Sequence, residues 1–111
     1  MINWSDVLLK KSDSLETAIN VLHYGGLRIA LVVDNNNKLL GTITDGDVRR
    51  ALLKHFAMDS LVEHIMNENP TTALNSDSTD TIILKMQSRD LLHIPIIDEE
   101  EILVGLETLP H

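Results

Sequence analysis

The stretch IALVVDNNNKLLGTIT, residues 29–44, returns 64 positions later as HIPIIDEEEILVGLET, residues 93–108. Asp34 and Asp98, Gly41 and Gly105, and Thr44 and Thr108 keep that spacing without a gap. In each copy two runs rich in Val, Ile and Leu flank a polar turn, NNNK in the first and an acidic turn, Asp98 to Glu101, in the second. The pattern predicts a β-hairpin, with strands near 28–34 and 39–44 in the first copy. Pro95 interrupts the second copy's first strand and predicts an edge position or a strand end there.

The repetition reaches upstream. SDSLETAINVL (12–22) matches SDSTDTIILKM (76–86) at the same offset. Leu15, Ala18, Ile19 and Leu22 recur at i, i+3, i+4, i+7, as do Thr79, Ile82, Ile83 and Met86, so each copy opens with an amphipathic helix. Asp13 with Glu16, and Asp77 with Asp80, have the N-cap and N3 spacing. YGG (24–26) suits a helix C-cap with Gly25 or Gly26 in the left-handed conformation.

From about Asp45 the first copy continues into a further helix, with Val48, Ala51, Leu52 and Phe56 as its apolar stripe. SLVE (60–63) reads as a capping box opening a linking helix, with Leu61, Val62, Ile65 and Met66 facing inward and NENP ending it. Met66 and Met86 read as core. The second copy stops at GLETLPH, where the first proceeds into a helix. The expectation is two units, 1–58 and 59–111, the second without its last helix, in a fragment of a longer protein.

Composition narrows the function classes. At 111 residues there is room for one compact domain or two small repeats sharing a core, and not for an enzyme with separate cofactor and substrate domains. A hydrophobic fraction of 43% with 23% charged residues belongs to a folded globular chain. The net charge of −8 argues against a general nucleic-acid binder. Residues 1–58 carry seven Lys and Arg against six Asp and Glu, while residues 59–111 carry two against eleven, so an anion should prefer the first half. The chain has no Cys, hence no disulfide, thiolate metal site or cysteine nucleophile. Its start reads neither as a signal peptide nor as a membrane span, which makes the cytoplasm the default location, with no membrane partner expected.

With LVVDNNNKLLGTITDGDVRRALL carrying an Asp-turn-Gly-x-Ile-Thr-x-x-Asp-Val pattern, the chain resembles a tandem pair of CBS (cystathionine beta-synthase) domains. HIMNENP (64–70) is similar to the Ile-Met signature that precedes a repeat in that family. The second copy departs from the pattern: Glu107 replaces the usual Ile or Val, and His111 stands where the Asp would be. The resemblance implies an α/β fold of the α+β kind: two repeats of helix, β-hairpin and helix, packed as a pseudo-two-fold pair. GTITDGDVRRALL, an N-terminal Trp and the VGLETL-type ending further resemble the CBS pair in front of bacterial sugar-nucleotidyltransferase domains.

The family implies an adenosine nucleotide, AMP, ADP or ATP, in the cleft between the repeats. Carried onto this chain, Asp47 would hold the ribose hydroxyls, Thr44 would assist with ribose or phosphate, and Arg49 or Arg50 would add charge. Ile29, Ala30 and Leu31 would lie against the adenine near Asp47, with His93, Ile94 and Pro95 around a pseudo-equivalent site. A carboxylate accepts from both hydroxyls of a cis diol, and free N–H groups of a helix N-terminus suit a phosphate. Thr44 and Asp47 have equally the spacing of a helix cap, which needs no ligand.

Asp45 and Asp47 diverge on a helix and do not read as a metal pair. The histidines at 23, 55, 64 and 93 lack metal-ligand spacing, so no metal is expected except magnesium carried by a bound phosphate. No cofactor is required, and no nucleophile, base and oxyanion set is visible. The sequence reads as a non-enzymatic, ligand-sensing regulatory module, a homodimer through its helix faces, covalently joined to a nucleotidyltransferase domain. The rival reading is a structural dimerisation module without a ligand.

Overall fold

The computed structural model of the chain describes residues 3–109; His111, aligned above with the motif's Asp, lies outside them. A 3-10 turn over Trp4–Val7 leads into β1 (Leu8–Lys10), α1 (Leu15–Gly25), β2 (Ile29–Val33), β3 (Leu39–Thr44) and α2 (Asp45–Leu53). A second 3-10 turn, Val62–His64, precedes β4 (Ala73–Leu74), α3 (Thr79–Ser88), β5 (His93–Ile97) and β6 (Leu103–Thr108). The fold is a mixed α/β architecture with two three-stranded sheets, ordered β1-β2-β3 and β4-β5-β6. In each, the first strand runs parallel to the middle one, with a helix as the crossover, and the hairpin adds the antiparallel third.

The 64-residue offset holds through the register. Ile29 faces Thr44 and His93 faces Thr108, and both hairpins shift register at the same place, between Val32 and Val33 and between Ile96 and Ile97. Each turn is built by one carboxylate. Asp34 Oδ1 accepts from the amides of Asn36 and Lys38, and Asp98 Oδ1 from those of Glu100 and Ile102. The acidic turn is therefore more than a solvated charge run.

Several local expectations are corrected. The helix caps sit one residue later, with Ser14 Oγ accepting from Thr17 N and Ser78 Oγ from Thr81 N. Asp13 and Asp77 instead accept from the amides of Lys10 and Leu74, closing the turn between strand and helix. The short parallel strands β1 and β4 were not foreseen, since two or three residues show no periodicity. The linking helix is only the Val62–His64 turn. Ser60 does not cap it, because its carbonyl binds Leu15 N while Val62 N binds Asp13 O, tying this segment to the entry of α1. Phe56 lies beyond the end of α2, and Leu52 on it is exposed.

Pro95 occupies the middle strand of its sheet, not an edge. The pair Leu8 with Leu31 has no counterpart at Thr72 and Pro95, so β4 is one residue shorter than β1. A proline has no amide hydrogen to give a neighbouring strand. The Thr72 carbonyl accepts from Lys85 Nζ instead.

Strand alternation sorts the apolar residues into three clusters. Ala30, Val32 and Ile43 face α1 and, with Leu9, Ala18, Leu22 and Val62, form the first repeat's own core, onto which Val48 and Met66 pack. Ala73, Ile82, Met86 and Ile94 form that of the second. Between them Ile29, Leu31 and Val33 pack with Leu103 and Leu106, a core that belongs to both repeats.

The turns meet at a pseudo-two-fold axis. Leu39 N donates to Glu101 O at 3.0 Å, and Leu103 N donates to Asn37 O at 2.8 Å. Lys38 bridges to Ile102, its own repeat equivalent.

Candidate functional site

A cleft of about 460 Å³ opens between the repeats. One wall comes from the entry of β2 (Arg28, Ile29), the end of β3 and the first turn of α2. The other comes from the segment Asn67 to Thr71, the turn Asp90 to Leu92 and the start of β5. Two backbone bonds join these walls: Thr42 N to Asn67 O at 3.1 Å and Asn67 N to Thr42 O at 2.9 Å. The approach requires a glycine at 41, where a Cβ would stand 2.7 Å from both Asn67 O and Met66 Sδ.

Asp47 is the buried charge of this cleft, 8% exposed. It stands at N3 of α2, behind the N-cap Thr44. Its Oδ2 accepts from Thr44 N at 2.9 Å and from Thr44 Oγ1 at 3.1 Å. Its Oδ1 accepts from Arg50 Nη2 at 2.5 Å. The side chain thus caps the helix, as the spacing allowed, and presents its carboxylate to the cleft. The first turn of α2 adds amide hydrogens without intrahelical partners, a local positive field. Gly46 leaves that turn open, since a Cβ there would meet nothing closer than 3.7 Å.

Of the residues singled out in the sequence, Thr44, Asp47, Arg50, Ile29, His93 and Pro95 line this one cleft. His93 and Pro95, expected around a pseudo-equivalent site, line the same cleft as Asp47. Residues at the entries of β2 and β5 thus furnish this cavity together. Ala30 and Ile94 are fully buried against the helices, and Leu31 is fully buried in the shared core. Period-two alternation turns Ala30 and Ile94 to the far face, and Leu31 lies deeper along its strand than Ile29. Arg49 is exposed and off the lining, as helical rotation demands of a neighbour of Arg50.

Arg28, Thr42, Asn67 and the turn Asp90 to Leu92 also line the cleft and were missed. Arg28, held at φ 62°, makes no ion pair among the described residues. The offset itself held a signal, because Arg28 and Ile29 recur as Leu92 and His93. Asn67 had none, since its place depends on a contact across the fold.

Among the described residues no three His, Asp or Glu side chains are placed to hold a metal ion, and no helix is long and apolar enough to cross a membrane. The cleft offers a polar acceptor, amide hydrogens, cations and the apolar sides of Ile29, Leu92 and Pro95. That set is chemically complementary to a ligand with a flat apolar part, a diol and an anionic group.

A model of the CBS domain matches residues 2–54 and 62–106. A homoserine O-acetyltransferase of Methanococcus vannielii is 30% identical over 99 residues, which are 88% of this chain and 19% of that protein. The chain spans less than a third of the length of the curated relatives it matches first. The solved CBS domain pair of protein MJ0100, in complex with 5'-methylthioadenosine and S-adenosyl-L-methionine, superposes with a TM-score of 0.78 at 26% identity, covering 92% of this chain and 80% of that one. A CBS domain protein from Pyrobaculum aerophilum complexed with AMP gives a TM-score of 0.79 at 21% identity, covering 92% and 79%. Both of these similar structures hold adenosine ligands.

Proposed function

The chain belongs to the CBS-domain family, and we propose that it is a non-catalytic regulatory module that binds an adenosine nucleotide, AMP, ADP or ATP, between its repeats. The observation that carries this is the buried carboxylate of Asp47 on the wall of a two-repeat cleft, beside the open first turn of α2. Asp47 and Thr44 take the ribose side, Arg50 and Arg28 the phosphate, and Ile29, His93 and Pro95 the base. The adenosine ligands of the MJ0100 domain pair support this reading.

The two units, 1–58 and 59–111, act together in a cytoplasmic protein. We place the module in front of a sugar-nucleotidyltransferase domain, on the strength of GTITDGDVRRALL and the VGLETL ending, and as a homodimer through its helix faces. The shared core of Leu31, Val33, Leu103 and Leu106 sets the repeats rigidly against each other. Regulation therefore runs through the orientation of two paired modules more than through the repeats of one. A ligand shifts that orientation only by binding one arrangement more tightly than the other.

One observation favours the rival, a structural dimerisation module: Asp47 is already satisfied within its own chain. Calorimetry with AMP, ADP and ATP separates the two. Wild type binds at micromolar to millimolar concentration and Asp47→Ala does not, with its circular dichroism unchanged. A wild-type chain that binds none of the three at millimolar concentration leaves only the rival.

A further inference from the structure

Asp47 has fewer free acceptor positions than its place in the cleft suggests. A carboxylate offers about four lone-pair directions. Oδ2 uses two on Thr44, through the amide and the hydroxyl, and Oδ1 uses one on Arg50. A cis diol donates two hydrogen bonds and finds one position open. The amide of Thr44 is fixed by the turn into α2, whereas Arg50 hangs on a long side chain that is 65% exposed and lines the same cleft. Arg50 is the partner that can leave.

We propose that Arg50 is a displaceable latch on Asp47, which makes the cleft selective for phosphorylated nucleosides over the bare nucleoside. This rests on the adenosine-nucleotide reading above. Without ligand, Arg50 neutralises the buried carboxylate. A ribose diol takes over Oδ1 and frees the guanidinium. A nucleoside then leaves Arg50 unpaired and forfeits a charge-assisted bond, while a nucleotide returns one through its phosphate. Arg28 lines the cleft with no hydrogen bond or ion pair to Asp47 among the described residues, so it attracts phosphate but does not compete with the diol. The two arginines thus differ in what they do to the nucleoside.

The test is isothermal calorimetry of wild type, Arg50→Gln and Arg28→Gln with adenosine and AMP, with thermal unfolding as a check on the fold. Wild type prefers AMP to adenosine by about tenfold or more, the scale of one charge-assisted bond. Arg50→Gln loses most of that preference from the nucleoside side: adenosine binds more tightly, while AMP changes little because the phosphate bond it loses offsets the latch it no longer breaks. Arg28→Gln weakens AMP and leaves adenosine unchanged. Three results overturn the latch: adenosine weakened by Arg50→Gln, the preference unaltered by it, or the two variants behaving alike. If wild type binds neither compound, the latch falls; if it also binds neither ADP nor ATP, the nucleotide reading fails with it. If wild type binds both and only the Arg50 pattern fails, the nucleotide reading stands alone.

Discussion

The two hairpins share a register to the residue and differ in what the shared positions must do. Ile43 and Glu107 are equivalent, one in each hairpin's last strand. Ile43 is fully buried under α1 and α2, in a core that Val62 and Met66 also join. Glu107 is only half-buried, and its neighbour Val104 is 43% exposed where its equivalent Leu40 packs into the core. Gly41 carries the close approach of Asn67, while a Cβ at Gly105 would meet Ile96 at an ordinary 3.5 Å. Asp47 caps a helix and faces the cleft. A repeated backbone thus fixes where a side chain can stand, and the unrepeated contacts decide whether that place becomes core, close contact or cleft wall.

The largest expected effect exchanges the residues of the first pair. Ile43→Glu buries a carboxylate with no partner, which costs several kcal/mol. That is on the order of the whole stability of such a domain, roughly 5–15 kcal/mol. The variant is expected to be unfolded or recovered only as aggregate. Glu107→Ile, at the equivalent point, is expected to shift stability in urea by less than about 1 kcal/mol, as half-exposed sites do. Equal and large losses from both would show that the second sheet's outer face is as enclosed as the first.

How far this was legible follows from the same residues. The hairpins and the helices α1 and α3 were read from one offset, and α2 from its own apolar residues, because the apolar period and the turn residues are local properties; the two-fold packing came from the family resemblance. The caps were misplaced by one residue because Ser14 and Asp13 are both good caps, and only the strand before them shows that Asp13 is occupied by Lys10 N. The linking helix failed for a similar reason: Ser60 and Glu63 have the capping spacing, but the backbone of Ser60 and Val62 is engaged with the entry of α1. Six of the ten candidate ligand residues converge on one cleft because they follow motif positions. Thr42 and Asn67 were missed because they belong to the cleft only through the pairing of β3 with a distant segment, and Arg28 because the offset that matches Ile29 with His93 was not followed one residue back to Arg28 and Leu92.

That pairing supplies the second comparison. Gly41→Ala places a methyl within contact distance of the Asn67 carbonyl, a backbone atom that cannot swing aside. Overpacking of this kind costs about 1–3 kcal/mol. Relief by retreat of Asn67 would also open the cleft and weaken any nucleotide bound there. Gly105→Ala meets no such wall and has a strand conformation open to alanine, so it is expected to be neutral or slightly stabilising. Chemical denaturation of the two variants, read beside nucleotide affinity, checks both halves. Equal losses would mean that the Asn67 segment is free to move.

The smallest effect is expected where the repeats touch, at the pseudo-axis. Lys38 Nζ lies 3.4 Å from Glu101, the one ion pair between the repeats among the described residues, with both side chains about half exposed. Its position invites the idea that it sets the angle between the repeats. The energetics point the other way. An exposed pair contributes about 0–1 kcal/mol and is screened by salt. Beside it run the reciprocal backbone bonds of Leu39 and Leu103, and behind it lies the shared core. Lys38→Gln is expected to lower stability by no more than about 0.5 kcal/mol, and by less in high salt. Leu103→Ala, which empties part of the shared core, should cost about 2–5 kcal/mol. A loss above about 1 kcal/mol for Lys38→Gln, vanishing in salt, would assign the repeat angle to charge. The expected order assigns it to apolar packing, which holds the cleft's two walls in place whether or not a ligand lies between them.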